Sequence, residues 1–210
     1  MCVPPRSDPA GRAGRRYAPA VLPPVLLLLW MATALAAPPT LDPGTQASLD
    51  AGQIVMLPPS ATATARALVE IDAAPPRVWE VISDPAHLRA STRSVKTLTV
   101  HSDQTAADGV REQRLGYVLK VGLSEVRYNV IRRYDLANSK MTWTLDPTRE
   151  NDIAATDGLW TLHPTADGDT LFVYEARLDS GRAIPAFIQE ELTEQSLKRF
   201  LSYVQQVAPQ

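Results

Sequence analysis

The chain has 210 residues, of which 21 are Lys or Arg and 23 are Asp or Glu, so its formal net charge at pH 7 is −2. Its 45% of hydrophobic residues are enough for one folded domain, and its single cysteine, Cys2, excludes a fold that depends on internal disulfides. A slightly acidic chain has little attraction for phosphate backbones, which argues against nucleic acid as a partner.

The first 36 residues have the pattern of a secretory signal peptide. Four arginines and one aspartate precede an apolar run at 25–37, and the small residues Ala34 and Ala36 form a cleavage pattern. The run is shorter than the roughly 20 residues of a spanning helix. We therefore expect an exported protein, periplasmic or extracellular, with no stable membrane span after cleavage. An uncleaved membrane anchor is the alternative. Removal of residues 1–36 would leave 17 basic and 22 acidic residues and no cysteine.

Proline is concentrated in the first part of the chain. Eleven of the 18 prolines precede residue 60. We interpret residues 37–60 as a flexible or extended Pro-rich lead-in, with a short strand at 53–57. The folded domain is expected to span residues 61–210.

The domain begins with a strand and two short helices. The strand signal covers 65–72, and the helices are predicted at 77–83 and 85–90. Pro76 suits the first turn of the first helix, and Asp84 suits the N-cap of the second.

Six further segments alternate apolar and polar residues as strands do, at 94–101, 110–121, 125–134, 141–145, 156–163 and 170–179. Their connections are short, which favours an antiparallel sheet because parallel strands need crossovers of a dozen or more residues. One face of this sheet is apolar and has to be covered.

The segment at 184–207 is predicted to be the covering helix. Its only helix breaker, Pro185, lies in the first turn, where it is tolerated. Its apolar residues recur mostly three or four positions apart, at Ile184, Ile188, Leu192, Phe200, Leu201, Val204 and Val207. The pattern therefore predicts an α+β fold in which about seven antiparallel strands pack on one long C-terminal helix.

Two stretches carry a resemblance to a known superfamily. Residues 67–84 (ALVEIDAAPPRVWEVISD) resemble the opening strand, Ala-Pro turn and Val-Trp helix of START-like, Bet v 1-like (SRPBCC) proteins, and Gly158-Leu159-Trp160 resembles their terminal hairpin. The similarity extends over about 61–208 and points to the polyketide cyclase/dehydrase and lipid-transport (coenzyme Q-binding) branch.

The resemblance implies a helix-grip fold with an elongated cavity between the curved sheet and the long helix. That cavity binds lipids, sterols, quinones or polyketides in the family, and many members have no catalytic activity. We expect a hydrophobic small molecule or lipid as the partner. The side chains expected to line the cavity are Tyr117, Tyr128, Trp143, Trp160, Phe187, Ile188 and Leu192. Core packing is the alternative role of the four aromatic residues on the strands.

Arg114 and Arg127 fall on the polar side of the alternation along their strands, so we expect both side chains to face solvent. A β-bulge would turn either of them inward as a polar group of the cavity.

The sequence shows no pattern for a catalytic, metal or cofactor site. Three histidines lack a second ligand at metal spacing, and the Gly-x-Ser-x-Gly, Walker and Gly-x-Gly-x-x-Gly patterns are absent. No cofactor is predicted. The leading hypothesis is an exported binding protein for a hydrophobic ligand. The alternatives are a polyketide cyclase or aromatase-like enzyme and an interaction module whose core is filled by its own side chains. The sequence does not indicate an oligomeric state.

Overall fold

A computed structural model describes Met1 and residues 37–181 and 194–210. The chain divides into two units, Met1–Ala32 and Thr33–Gln210. Apart from Met1, every described residue belongs to the second unit.

The second unit has an α+β fold with eight strands and four α-helices among its described residues. The helices are α1 (Pro43–Asp50), α2 (Pro75–Ser83), α3 (Pro85–Ser91) and α4 (Ser196–Val207). The strands are β1 (Val55–Leu57), β2 (Ala65–Ile71), β3 (Val95–Thr105), β4 (Arg111–Val121), β5 (Ser124–Asp135), β6 (Lys140–Leu145), β7 (Ala155–Pro164) and β8 (Thr170–Asp179).

The strands form one antiparallel sheet in the order β1-β2-β8-β7-β6-β5-β4-β3. From β3 to β8 each strand pairs with the next along the chain, as short connections require. The predicted fold is confirmed, with one strand more than the seven expected because β1 adds to the edge of β2.

The Pro-rich lead-in is more ordered than we predicted. The carboxylate of Asp42 accepts hydrogen bonds from two backbone N–H groups of the first turn of α1, each at 3.0 Å, and Pro43 occupies a position where no N–H is needed. Leu49 of α1 then packs with Leu68 and Leu171 in a small second cluster. Part of the lead-in therefore belongs to the folded unit.

The main core lies between one face of the sheet and helices α2, α3 and α4. Helix α4 buries four large side chains: Leu197, Phe200, Leu201 and Val204. At roughly 1.5 to 3 kcal/mol each, their burial contributes on the order of 6 to 12 kcal/mol before conformational entropy is subtracted. This burial holds α4 against the sheet.

The prediction of a C-terminal helix is confirmed over Ser196–Val207. Its expected first part, with Phe187, Ile188 and Leu192, lies outside the described residues. Within 37–181 and 194–210, no helix combines the length and the apolar composition needed to cross a bilayer.

Candidate functional site

A cavity of about 650 Å³ separates the inner face of the sheet from α3 and α4. Its size lies in the range of small-molecule sites, roughly 300 to 1,000 Å³. Apolar side chains on its wall come from the strands and from both helices, among them Leu88, Leu119, Val126, Val130, Leu197 and Phe200. Along this part of their interface, the sheet and α4 therefore enclose a cavity and do not pack directly on each other.

The four aromatic residues that the sequence placed on the inner face all line this cavity. Tyr117 and Tyr128 face each other across the β4–β5 register, and their rings stack with centroids 5.1 Å apart. The rings of Trp143 and Trp160 meet edge to face at 5.7 Å. The wall is therefore built of aromatic pairs that hold each other in position.

Trp143 takes its orientation from a glycine on the neighbouring strand. Gly158 is its register partner, and a Cβ atom at Gly158 would overlap the indole ring. The indole Nε1 donates a hydrogen bond of 3.3 Å to Thr156 Oγ1. The ring therefore lies against the backbone of β7 at Gly158.

Arg114 and Arg127 lie on the outer face of the sheet, which corrects the possibility that a bulge turns one of them inward. The β4–β5 register runs without a shift, and the irregularities of this region are in β3. Arg114 pairs with Glu112 and Asp146, and Arg127, with its side chain 69% exposed, pairs with Glu125. Neither contributes to the cavity wall.

Three arginines line the cavity. Arg66 and Arg177 form ion pairs with carboxylates, whereas Arg132, which is 9% exposed, has no carboxylate partner among the described residues. It follows Tyr128 and Val130 at the same parity on β5, so the alternation that placed Tyr128 inward also applies to Arg132. Arg132 was not among the residues predicted to line the cavity, although the alternation that predicted Tyr128 also reaches it.

A chain of hydrogen bonds from Arg132 through Tyr134 and Gln113 to Asp103 holds the guanidinium in position. Its Nη1 donates to Tyr134 Oη at 3.5 Å, and that hydroxyl donates to Gln113 Oε1 at 3.1 Å. Gln113 Nε2 donates to Asp103 at 2.9 Å, and Arg111 binds the same carboxylate with two nitrogens. Because the amide nitrogen of Gln113 is committed to Asp103, its oxygen has to face Tyr134.

The Arg132 guanidinium also contacts an aromatic ring, and the residue lines the cavity. Its central carbon lies 5.0 Å from the ring centroid of Trp160, a cation–π distance. Its Nε has no hydrogen-bond partner among the described residues, and the same holds for Tyr117 Oη and Trp160 Nε1. A buried polar atom without a partner typically costs about 1 to 3 kcal/mol. Three such atoms belong to residues that line this cavity.

The tyrosines of the wall are neutral at physiological pH. Burial raises the pKa of Tyr117 and of Tyr128, and it raises the pKa of Tyr174 to about 12. Burial lowers the pKa of the Arg132 guanidinium, but the hydroxyls of Tyr117 and Tyr134 raise that pKa by more. The site therefore combines neutral hydroxyls that can donate with the permanent positive charge of Arg132.

The histidines take part in local hydrogen bonds. His87 Nδ1 lies 2.7 Å from Tyr203 Oη, and a nitrogen of His101 lies 3.0 Å from Asn129 Oδ1. His163 Nε2 lies 2.9 Å from Thr161 Oγ1. Among the residues that the structure describes, no three His, Cys, Asp or Glu side chains are grouped as metal ligands.

A curved antiparallel sheet packed on a C-terminal helix, with a cavity between them, defines the helix-grip class of folds. Residues 61–206 match the family described as "Polyketide cyclase / dehydrase and lipid transport". The match covers more than half of the chain, and the chain belongs to this family. A search of curated proteins found no match.

Solved structures with the same fold come from several bacteria. TTHA0849 from Thermus thermophilus is 21% identical, with a TM-score of 0.56 over 68% of this chain and 94% of that protein. A STAR-related lipid transfer protein (fragment 25–204) from Xanthomonas axonopodis is 19% identical, with a TM-score of 0.56 over 75% and 93%. The Zhui aromatase/cyclase from Streptomyces sp. R1128 is 17% identical, with a TM-score of 0.53 over 74% and 94%. At these identities the likeness shows the fold alone.

Proposed function

We propose that this chain is an exported protein that binds a hydrophobic small molecule or lipid in the cavity between the sheet and α4. The observation that carries the proposal is the cavity of about 650 Å³ with a largely aromatic and aliphatic wall. The family description includes lipid transport, and one structural relative is a lipid transfer protein. Both support a ligand of this class.

The size of the cavity supports an occupied site. The cavity is partly open, so its wall contacts water wherever no ligand is bound. A volume of about 650 Å³ is large enough for a small organic ligand. The alternative of an interaction module with a filled core fits this volume poorly.

Export is the second part of the proposal and rests on the sequence pattern of residues 1–36. Cleavage after Ala36 would release a chain without cysteine, which suits an oxidising compartment. A protein of this kind would carry or sequester an apolar ligand outside the cytoplasm.

Filling the cavity tests the ligand-binding proposal. Val126 lines the cavity, whereas its neighbour Arg127 faces solvent on the other side of β5. We expect Val126→Trp to weaken binding of the neutral fluorescent probe N-phenyl-1-naphthylamine at least about tenfold, because the indole occupies the ligand volume. Arg127→Trp adds the same ring outside and should bind the probe like the wild type. Equal affinities of the two variants, or no binding by the wild type, would refute the proposal.

A cyclase or aromatase-like enzyme is a second candidate, favoured by Arg132 and Tyr117 on the cavity wall. A neutral tyrosine and a guanidinium can stabilise developing negative charge on an oxygen. Incubation with a poly-β-ketone thioester, followed by mass spectrometry, tests this candidate. A cyclised product that Arg132→Met abolishes would favour the enzyme over the binding protein.

A further inference from the structure

The unpaired polar atoms of the cavity wall share one property, which is that they can all donate. The guanidinium Nε of Arg132 and the indole Nε1 of Trp160 carry hydrogens and accept none, and the hydroxyl of Tyr117 carries one hydrogen. None of the three atoms has a partner in the part of the chain that the structure describes, and all three residues line the same cavity. These three atoms therefore lack an acceptor among the described residues.

Arg132 also lacks a negatively charged partner among the described residues, because Glu194, the acidic residue on the cavity wall, pairs with Lys198. The buried carboxylate of Asp146 is balanced by Arg114, whose Nη1 lies 3.1 Å away. Arg132 is buried as well, but its contacts within residues 37–181 and 194–210 are a tyrosine hydroxyl and the face of an indole ring. Water in the cavity could accept hydrogen bonds from Arg132, but it would not neutralise the charge.

We propose that the ligand is an amphiphilic acid whose single carboxylate binds Arg132, with the hydroxyl of Tyr117 and the indole N–H of Trp160 as further donors. One guanidinium matches one negative charge and two acceptor oxygens, as a carboxylate provides. The apolar part of the ligand then lies against Leu119 and Val126. This inference rests on the proposed ligand-binding function and adds the chemical class of the ligand.

The hydrogen-bond chain from Arg132 through Tyr134 to Gln113 suits Arg132 for binding a carboxylate. Tyr134 uses its proton for Gln113 and offers Arg132 only a lone pair, so the guanidinium is held at Nη1 while its Nε remains free. The group is positioned before the ligand arrives. A preorganised charge loses less freedom on binding than one on an exposed side chain.

Displacement of bound N-phenyl-1-naphthylamine by three dodecyl compounds at pH 7.5 tests the inference. The compounds are dodecanoic acid, its methyl ester and dodecyl phosphate, used below their micelle concentrations. We expect the acid to displace the probe from the wild type at about tenfold or more lower concentration than the ester, because only the acid supplies the negative charge. The phosphate should bind more weakly than the acid, because its second charge has no partner.

Arg132→Met should abolish the preference for the acid and leave the affinity for the ester unchanged. Arg127→Met, a change on the outer face of the same strand, should behave like the wild type. Because Arg132→Met removes an uncompensated buried charge, it should unfold at the wild-type temperature or above. Tyr117→Phe provides an independent test and should weaken binding of the acid several-fold without affecting the ester.

Equal binding of acid and ester by the wild type would overturn the inference, as would a preference that survives in Arg132→Met. Tighter binding of the phosphate than of the acid would overturn the assignment of a carboxylate. These results leave the probe bound by the wild type and so differ from failure of the proposed function, in which neither the probe nor any of the compounds binds.

Discussion

At the scale of single residues, two inward-facing tyrosines occupy contrasting positions. Tyr134 is 1% exposed and its hydroxyl lies between Arg132 and Gln113, whereas the hydroxyl of Tyr117 has no partner in the described residues. The first hydroxyl stabilises the fold through its hydrogen bonds. The second costs free energy in the unliganded protein and becomes useful only when an acceptor is present.

This contrast predicts opposite effects of the same substitution. Tyr134→Phe leaves Gln113 Oε1 and Arg132 Nη1 without a partner and should lower the free energy of unfolding by about 1 to 3 kcal/mol. Tyr117→Phe removes only an unpaired hydroxyl and should raise the free energy of unfolding, by up to about 1 to 3 kcal/mol. Urea unfolding of the two variants without ligand measures both values. A loss in Tyr117→Phe would contradict the hydrogen-bond assignment.

For the residues of the site, the sequence predicts only which side chains face the inside of the sheet, because that follows from the alternation along each strand. Alternation along β4 and β5 places Tyr117 and Tyr128 inward, and the same alternation includes Arg132. Alternation does not say which side chains surround Arg132. That depends on the register, which sets Gln113 and Trp143 beside it on the neighbouring strands and supplies no carboxylate.

At the scale of the elements, an ion pair between Asp146 and Arg114 lies on the outer face of the sheet. Asp146 follows the last residue of β6, and its fully buried carboxylate accepts hydrogen bonds from Thr148 and from Arg114 on β4. Burial by itself raises the pKa of this carboxyl, but the hydrogen bonds from Thr148 and Arg114 lower it by more, so the pKa lies below its ordinary value of 3.8. The carboxylate fixes the loop after β6 to the sheet.

The depressed pKa predicts an acid-dependent loss of stability. The folded protein binds the Asp146 proton less readily than the unfolded chain, so this group stabilises the fold above about pH 3.8 and loses that contribution as pH falls through its lower, folded-state pKa. At pH 7, Asp146→Asn should lower the free energy of unfolding by about 1.5 to 3 kcal/mol.

Urea unfolding at several pH values checks this prediction. The difference between Asp146→Asn and the wild type should shrink as pH falls below about 3.8, because both chains are then neutral at residue 146. Asp167→Asn, which changes an exposed aspartate in the turn between β7 and β8, is the matched control and should follow the wild type at each pH. A constant difference at every pH would mean that the charge of Asp146 is not what stabilises the loop.

The elements themselves were mostly predictable, with one instructive exception. Asp84 followed by Pro85 indicates a helix start, and α3 begins there. Asp42 followed by Pro43 is the same signal, and it starts α1 in a stretch that the high proline content led us to interpret as flexible. A helix of eight residues is marginal alone. Its stability comes from Leu49 against the outer face of β2 and β8, a contact that local sequence does not reveal.

At the scale of the whole molecule, the topology follows from connection lengths, whereas the cavity does not. Short links make β3 to β8 an antiparallel meander, and its single apolar face requires a helix to cover it. Whether that helix packs directly on the sheet depends on the sizes of the side chains between them. Small residues such as Gly158 and Ala176 leave space, and bulky aromatic residues keep the helix and the sheet apart. The volume of the cavity depends on all of these side chains together, so a local sequence pattern does not predict it.

If the cavity holds an apolar ligand, native mass spectrometry of the gently purified protein will detect the complex. We predict that the wild type carries one small organic molecule per chain, or takes up one molecule of dodecanoic acid when it is supplied. Val126→Trp should appear without it under the same conditions, while Arg127→Trp should be occupied like the wild type. A wild-type protein that remains unoccupied in the presence of the acid, or an equally occupied Val126→Trp variant, would contradict the account.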